Sequence, residues 1–112
     1  MSEFASWEEF QKLDIRVGTI VRAEIFPEAR RPAYKLWVDV GELGTKKSSA
    51  QITDLYSIED LVGRQVLCVC GFPPKQVGPL MSEVLVTGFV LDDSSVVLAQ
   101  PQRSIPNGTR LL

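Results

Sequence analysis

Apolar and polar residues alternate with a period of two along much of this chain, and the alternation stops at Gly, Pro and short polar clusters. Over 14–24, Ile15, Val17, Thr19 and Val21 face one way while Arg16, Gly18, Ile20 and Arg22 face the other, the signature of a half-buried strand. Gly18 in the middle predicts a bulge or bend, as a tightly curved barrel requires. Residues 34–40 alternate again, with Tyr34, Leu36, Val38 and Val40 opposed to Lys35, Trp37 and Asp39. A turn over 41–44 leads to a polar returning strand over 45–53. Three more strands are expected over 65–72, 82–91 and 96–99, the last two joined by the polar turn Asp92-Asp93-Ser94-Ser95.

Two segments carry helical signals instead. Ser6 and Glu9 have capping-box spacing, and Trp7, Phe10 and Leu13 lie on roughly one side of a helix over 6–13. So short a helix needs something to dock on. The second candidate spans 54–63, with Ser57 and Asp60 in capping-box spacing and Gly63 to end it.

Five or six short strands with one small helix between the third and fourth predict an all-β fold, the five-stranded OB-fold barrel. The whole of 1–112 then reads as a single domain, with the 1–13 helix and the 101–112 tail as additions outside the barrel. Their apolar residues Trp7, Phe10, Leu13, Leu111 and Leu112 need a covering surface. A second copy of the chain, giving a homodimer, is the economical one.

Composition narrows the functional classes. A net charge of −2 argues against nucleic-acid binding by bulk electrostatics, although Arg30, Arg31, Lys35, Lys46 and Lys47 crowd one stretch. There is no histidine, so no triad and no histidine general base exists. Cys68 and Cys70, two apart in a strand, read as buried structural thiols. With no histidine beside them they are too few for a zinc site. A Ser-Lys pair from Ser48 or Ser49 with Lys75 lacks any supporting signature, and no phosphate-binding Gly-rich loop appears. The expectation is a non-enzyme with no cofactor and no metal. No stretch is long or apolar enough to insert in a membrane, and the acidic start lacks the order of a signal peptide, so a cytoplasmic location is expected.

The stretch 69–88 stands out. An apolar run stops at Pro73-Pro74, which supply no backbone N–H and make a stiff exit. A loop follows that carries Lys75, Leu80 and Met81, and Ser82-Glu83 opens the next apolar run.

Together, Phe10-x-x-Leu13-Asp14-Ile15-Arg16-Val17-Gly18-x-Ile20, Lys35-Leu36, 48–52, Gly-Phe-Pro-Pro at 71–74 and Ser82-Glu83-Val84-Leu85 resemble the tRNA-binding-domain family. That family includes the modules appended to methionyl- and phenylalanyl-tRNA synthetases. Within it, Phe-Pro-Glu-Ala-Arg (26–30), Ser-Ser-Ala-Gln-Ile-Thr (48–53), Phe-Pro-Pro (72–74) and Ser-Glu-Val-Leu-Val (82–86) resemble the small free-standing chaperones linked to protein export. The resemblance implies an OB-fold homodimer, held by its terminal extensions, that binds unfolded or preprotein segments in contact with export machinery. Gln76 and Met81 stand where the family often carries positive charge, which implies a weaker pull on tRNA.

Two ligand classes remain on the residues themselves. A peptide site would use Phe72, Leu80 and Met81 as apolar walls, with Lys35, Ser48, Ser49 and Lys75 orienting the chain. An RNA site would stack a base on Trp37 and hold phosphates with Arg30, Arg31, Lys46 and Lys47. Ser82 and Glu83 read as loop-structuring residues, Glu83 bonding either loop amides or a nearby lysine.

Overall fold

The alternating stretches become antiparallel strands wrapped around one apolar interior. The computed structural model describes residues 3–112; Met1 and Ser2, which begin the expected 1–13 extension, lie outside the described residues. The chain runs through α1 (Trp7–Leu13), β1 (Ile15–Ile25), β2 (Tyr34–Asp39), β3 (Thr45–Ala50), α2 (Ile58–Leu61) and β4 (Gln65–Val69). It continues with β5 (Lys75–Val77), β6 (Leu80–Ser82), β7 (Leu85–Val86), β8 (Gly88–Val90) and β9 (Val96–Leu98). Five of these form the main sheet in the order β3-β2-β1-β4-β7, while β5–β6 and β8–β9 are separate hairpins. The sheet curls until the residues before β7 reach the free edge of β3, where the Glu83 amide donates to the Lys47 carbonyl (2.7 Å). This nearly closed five-stranded antiparallel barrel, with α2 between β3 and β4, is an OB-fold.

Alternation places Ile20, Leu36, Val38, Val40 and Val66 in the interior, and α2 adds Leu61, all fully buried. Removing each from water is worth about 1.5–3 kcal/mol, and they form the centre of a larger buried cluster that includes Ala23, Ala50, Ile52, Cys68, Val84, Val86 and Leu98. The expected phase of β1 fails past its middle. Up to Ile20 the alternation holds, with Gly18 and Ile20 facing the core; the register then slips between Ile20 and Arg22, so Arg22 joins Val21 on the exposed face and Ala23 turns inward. Gly18 is not that bulge. A Cβ there would stand 2.5 Å from Val38 Cγ1 and 3.0 Å from the Asp39 carbonyl, so glycine is needed for close strand contact.

Other expected boundaries move. The 65–72 strand ends at Val69, leaving Phe72 in a loop, and the 45–53 strand ends at Ala50. Of the 54–63 helix only one turn forms, with its capping box intact: Asp60 N–H donates to Ser57 Oγ and Ser57 N–H to Asp60 Oδ2. The single strand expected over 82–91 is broken. Ser82 belongs to the β5–β6 hairpin, Glu83 turns its bonds to β3, and Gly88 opens β8 packed so closely on Val96 that a Cβ would lie 2.5 Å from Val96 Cγ1.

Both terminal extensions dock on the barrel of their own chain. The Ser6–Glu9 capping box starts α1. Its far end is received by the loop after β4, where the Gly71 amide donates to the Leu13 carbonyl (2.8 Å). A Cβ on Gly71 would fall 1.9 Å from the Lys12 carbonyl, so only glycine fits. The tail runs beside the first half of β1, with Gly108 and Leu111 amides donating to the Val17 and Ile15 carbonyls. Arg110 ties tail to helix by donating to the Gln11 carbonyl (2.9 Å) and pairing with Asp14 (3.2 Å).

Candidate functional site

The chain leaving β4 cannot pair onward, because Pro73 and Pro74 offer no amide and hold an extended backbone. Beyond them the β5–β6 hairpin turns at Gly78 (φ +54°) and Pro79, a sequence suited to a tight hairpin turn that begins with a left-handed residue. The return path is pinned to β3. The Ser49 amide donates to Ser82 Oγ (3.2 Å), and the Lys47 amide donates to the Glu83 carboxylate (3.0 Å). Ser82 and Glu83 thus hold the loop against the barrel edge, and no ion pair joins Glu83 to a lysine among the described residues.

Two adjoining hollows result. The first, about 700 Å³, is lined by Phe72, Pro73, Pro74, Val84 and Leu85, with Lys75, Gln76, Ser82 and Glu83 at its margin. Phe72 and Leu85 are each 47% exposed, so apolar surface stands open to solvent here. The second, about 760 Å³, shares Lys75, Gln76, Ser82 and Leu85 with the first and adds Arg30, Arg31, Glu28, Ser49 and Val77. Arg30, Arg31 and Lys75 make no ion pair among the described residues.

The expected peptide set is therefore divided. Phe72, Lys75 and Ser49 line these hollows. Leu80 packs inward on Phe26 and Ala33, and Ser48 is fully buried, so neither offers a ligand any surface. The Ser48 hydroxyl has no hydrogen-bond partner among the described residues. Met81 is exposed on the hairpin but lines neither hollow. Lys35 lies elsewhere, 3.8 Å from Glu24 and over the Phe26 ring at 5.6 Å. The apolar wall at Pro73, Pro74 and Leu85 was missed because Leu85 reads as one more residue of a long strand.

The expected RNA set is split as well. Trp37 sits on the outer face of the barrel with Lys47 opposite it on β3, and its ring carries the Arg22 guanidinium at 4.4 Å. Arg22 also pairs with Glu24. Arg30 and Arg31 belong to the second hollow instead, and Lys46 lies opposite the buried Val38, half-buried itself. Arg22 was overlooked because the β1 bulge that positions it lies outside any local pattern.

Where α1 meets the tail, Trp7, Phe10, Ile15, Leu111 and Leu112 surround a hollow of about 240 Å³. The Trp7 and Phe10 rings are 5.3 Å apart, Trp7 is 55% exposed and Leu112 almost wholly so. Leu13 is half-buried and does not line this hollow. The two thiols are held protonated: burial pushes Cys68 up to about 12, and burial followed by the Asp14 carboxylate raises Cys70. No cluster of His, Cys, Asp or Glu able to hold a metal occurs among the described residues.

The OB barrel thus carries an open apolar hollow, a cationic neighbour to it and an aromatic-cation pair on its strand face. The chain belongs to the tRNA-binding-domain family: the model described as "Putative tRNA binding domain" matches residues 15–110. It is similar along its whole length to the chaperone CsaA of Bacillus anthracis, at 52% identity and a TM-score of 0.92, covering 97% of this chain and 99% of that one. The CsaA chaperone protein of Picrophilus torridus matches with 40% identity and a TM-score of 0.90, covering 97% and 100%. Curated relatives include the methionine–tRNA ligases of Methanococcoides burtonii, 32% identical over 96% of this chain, and Chlorobium chlorochromatii, 35% identical over 92%. The chain spans only 16% and 14% of those two ligases.

Proposed function

We propose that this protein is a non-catalytic chaperone that holds unfolded or export-bound polypeptide segments. The observation that carries this reading is the open apolar hollow walled by Phe72, Pro73, Pro74, Val84 and Leu85. Likeness to proteins named as chaperones supports it. Two anchored apolar side chains contribute about 1.5–3 kcal/mol each, short of the roughly 8 kcal/mol of micromolar affinity. A single site is then weak. A homodimer with two sites gains through effective concentration, which suits a protein that must also release its client.

The dimer surface in this reading is the apolar patch formed where α1 meets the tail, with Trp7, Phe10, Leu13, Leu111 and Leu112. Residues 1–13 and 101–112 serve as dimerisation extensions of a single domain over 1–112. Sedimentation of Trp7→Ala and of a chain lacking 107–112 tests this: each is expected to shift the protein toward monomer, and an intact dimer in both would overturn it. The expected location is the cytoplasm, with export machinery as a partner.

A second reading rests on its own observation. Arg22 over Trp37, with Lys47 beside it, is suited to stacking a base and holding its phosphate, so the protein would bind tRNA. Labelled tRNA titrated at low and physiological salt, with an unfolded polypeptide as competitor, separates the two. Displacement by a charge-poor unfolded chain is the expected result. Tight binding that falls steeply with salt and ignores the polypeptide would establish the RNA reading instead.

A further inference from the structure

β5 forms one side of the second hollow and reaches the margin of the first. It pairs only with β6, so its other edge has no strand partner among the described residues. Residues 75–77 also make no backbone hydrogen bond to any other element described. The register is Lys75 with Ser82, Gln76 with Met81 and Val77 with Leu80 around a two-residue turn. In such a hairpin the pair flanking the turn exchanges both hydrogen bonds, and the next pair does not. The Gln76 N–H and C=O therefore point outward, toward the unpaired edge. The Gln76 side chain does not fill that place, since its amide donates back to the Gly78 carbonyl (2.6 Å) and the Leu80 carbonyl (3.4 Å).

Unpaired edges are ordinarily protected, and β5 is protected only by being short and carrying Lys75. What surrounds it is asymmetric. The first hollow is walled by Phe72, Pro73, Pro74 and Leu85, and the second gathers Arg30, Arg31 and Lys75 with a single carboxylate, Glu28. An extended chain turns successive side chains to opposite faces, with about 3.3 Å between residues. One such chain can therefore present an apolar and a charged side chain to neighbouring hollows while its backbone follows a strand edge.

We propose that the client is captured as an added β-strand on the free edge of β5, its backbone bonding to Gln76. The preferred segments carry an apolar side chain next to an acidic one, the first seated on Phe72 and Leu85 and the second facing Arg30 and Arg31. This rests on the peptide-holding reading above and adds the binding mode and the chemical class of the segment. Main-chain bonds supply affinity for any extended sequence, and the two hollows select among sequences.

The test uses a short labelled peptide of Ser, Thr and Gly with one Phe followed by Asp, and its twin with Lys in place of Asp, measured by fluorescence anisotropy. The Asp peptide is expected to bind about tenfold tighter at low salt, a margin that narrows as salt screens the charges. The double variant R30Q/R31Q should bring the two peptides to near-equal affinity while leaving the Lys peptide unchanged or better bound. Gln76→Pro removes the outward N–H and should weaken both peptides about tenfold relative to Gln76→Ala, which loses the same side-chain bonds but keeps the N–H. Because proline here risks disturbing the hairpin, a peptide N-methylated residue by residue gives the same reading from the ligand. Alternate positions should lose binding. Equal binding of the Asp and Lys peptides would overturn the acidic preference, and indifference to both Gln76→Pro and N-methylation would overturn strand addition. Binding of neither peptide, with tRNA bound tightly, would instead remove the reading on which both depend.

Discussion

Leu36 in β2 and Phe72 in the loop after β4 are both large apolar side chains, yet Leu36 is fully buried and Phe72 is 47% exposed. The difference lies in the backbone that carries them. Around Leu36 the alternation runs unbroken between two paired neighbours, β1 and β3, so every second residue is driven inward. Before and after Phe72 the ladder stops, at Val69 and at Pro73-Pro74, and no partner strand exists to fold the ring over the core. The barrel wall uses apolar surface to hold itself together. The rim holds apolar surface open, by stiff prolines on one side and by the Ser82 and Glu83 bonds to β3 on the other.

Truncation separates the two regions. Leu36→Ala empties a closed site and is expected to cost about 2–5 kcal/mol of stability by urea unfolding, enough to threaten the fold. Phe72→Ala should leave stability within about 0.5 kcal/mol and weaken binding of an unfolded polypeptide by an amount approaching 1.5–3 kcal/mol. If Phe72→Ala unfolded the protein as Leu36→Ala does, the rim would be part of the core and the contrast would fail.

Glu83 lies on the boundary between wall and rim. Glu83→Ala leaves the half-buried Lys47 amide without its acceptor, a loss of about 1–3 kcal/mol, and should impair both stability and ligand binding. Glu83→Gln keeps an acceptor oxygen and should recover most of both in the same assays. A smaller effect comes from acid. Bonds from the Ser57 backbone amide and hydroxyl hold the Asp60 carboxyl below 3.8, and bonds with Ser95, the hydroxyl first, do the same for Asp93. Since both are lowered in the folded state, their contribution is complete above the unfolded value and is lost as pH falls below 3.8 through the folded one. Asp60→Asn and Asp93→Asn should lower the melting temperature slightly near neutrality, where the contribution is complete, and converge with the parent at the acid end of that window, so that the profile is flatter. Neither residue touches the hollows, so binding should be unaffected.

Sequence by itself determined the strand interiors, the OB-fold and the capping of both helices, because alternation and capping are local and repeat along the chain. It also marked Phe72, Lys75, Ser82 and Glu83, since a Pro-Pro pair and a polar dipeptide interrupt apolar runs visibly. Tertiary structure alone decided which faces the side chains took. The slip between Ile20 and Arg22 placed Arg22 on Trp37, and closure against β3 cut the 82–91 strand into pieces and exposed Leu85. Leu80 went inward onto Phe26, and Ser48 entered the core opposite Leu36. These outcomes depend on register between strands far apart in the chain. A shift of one residue there exchanges inside for outside without changing any local pattern.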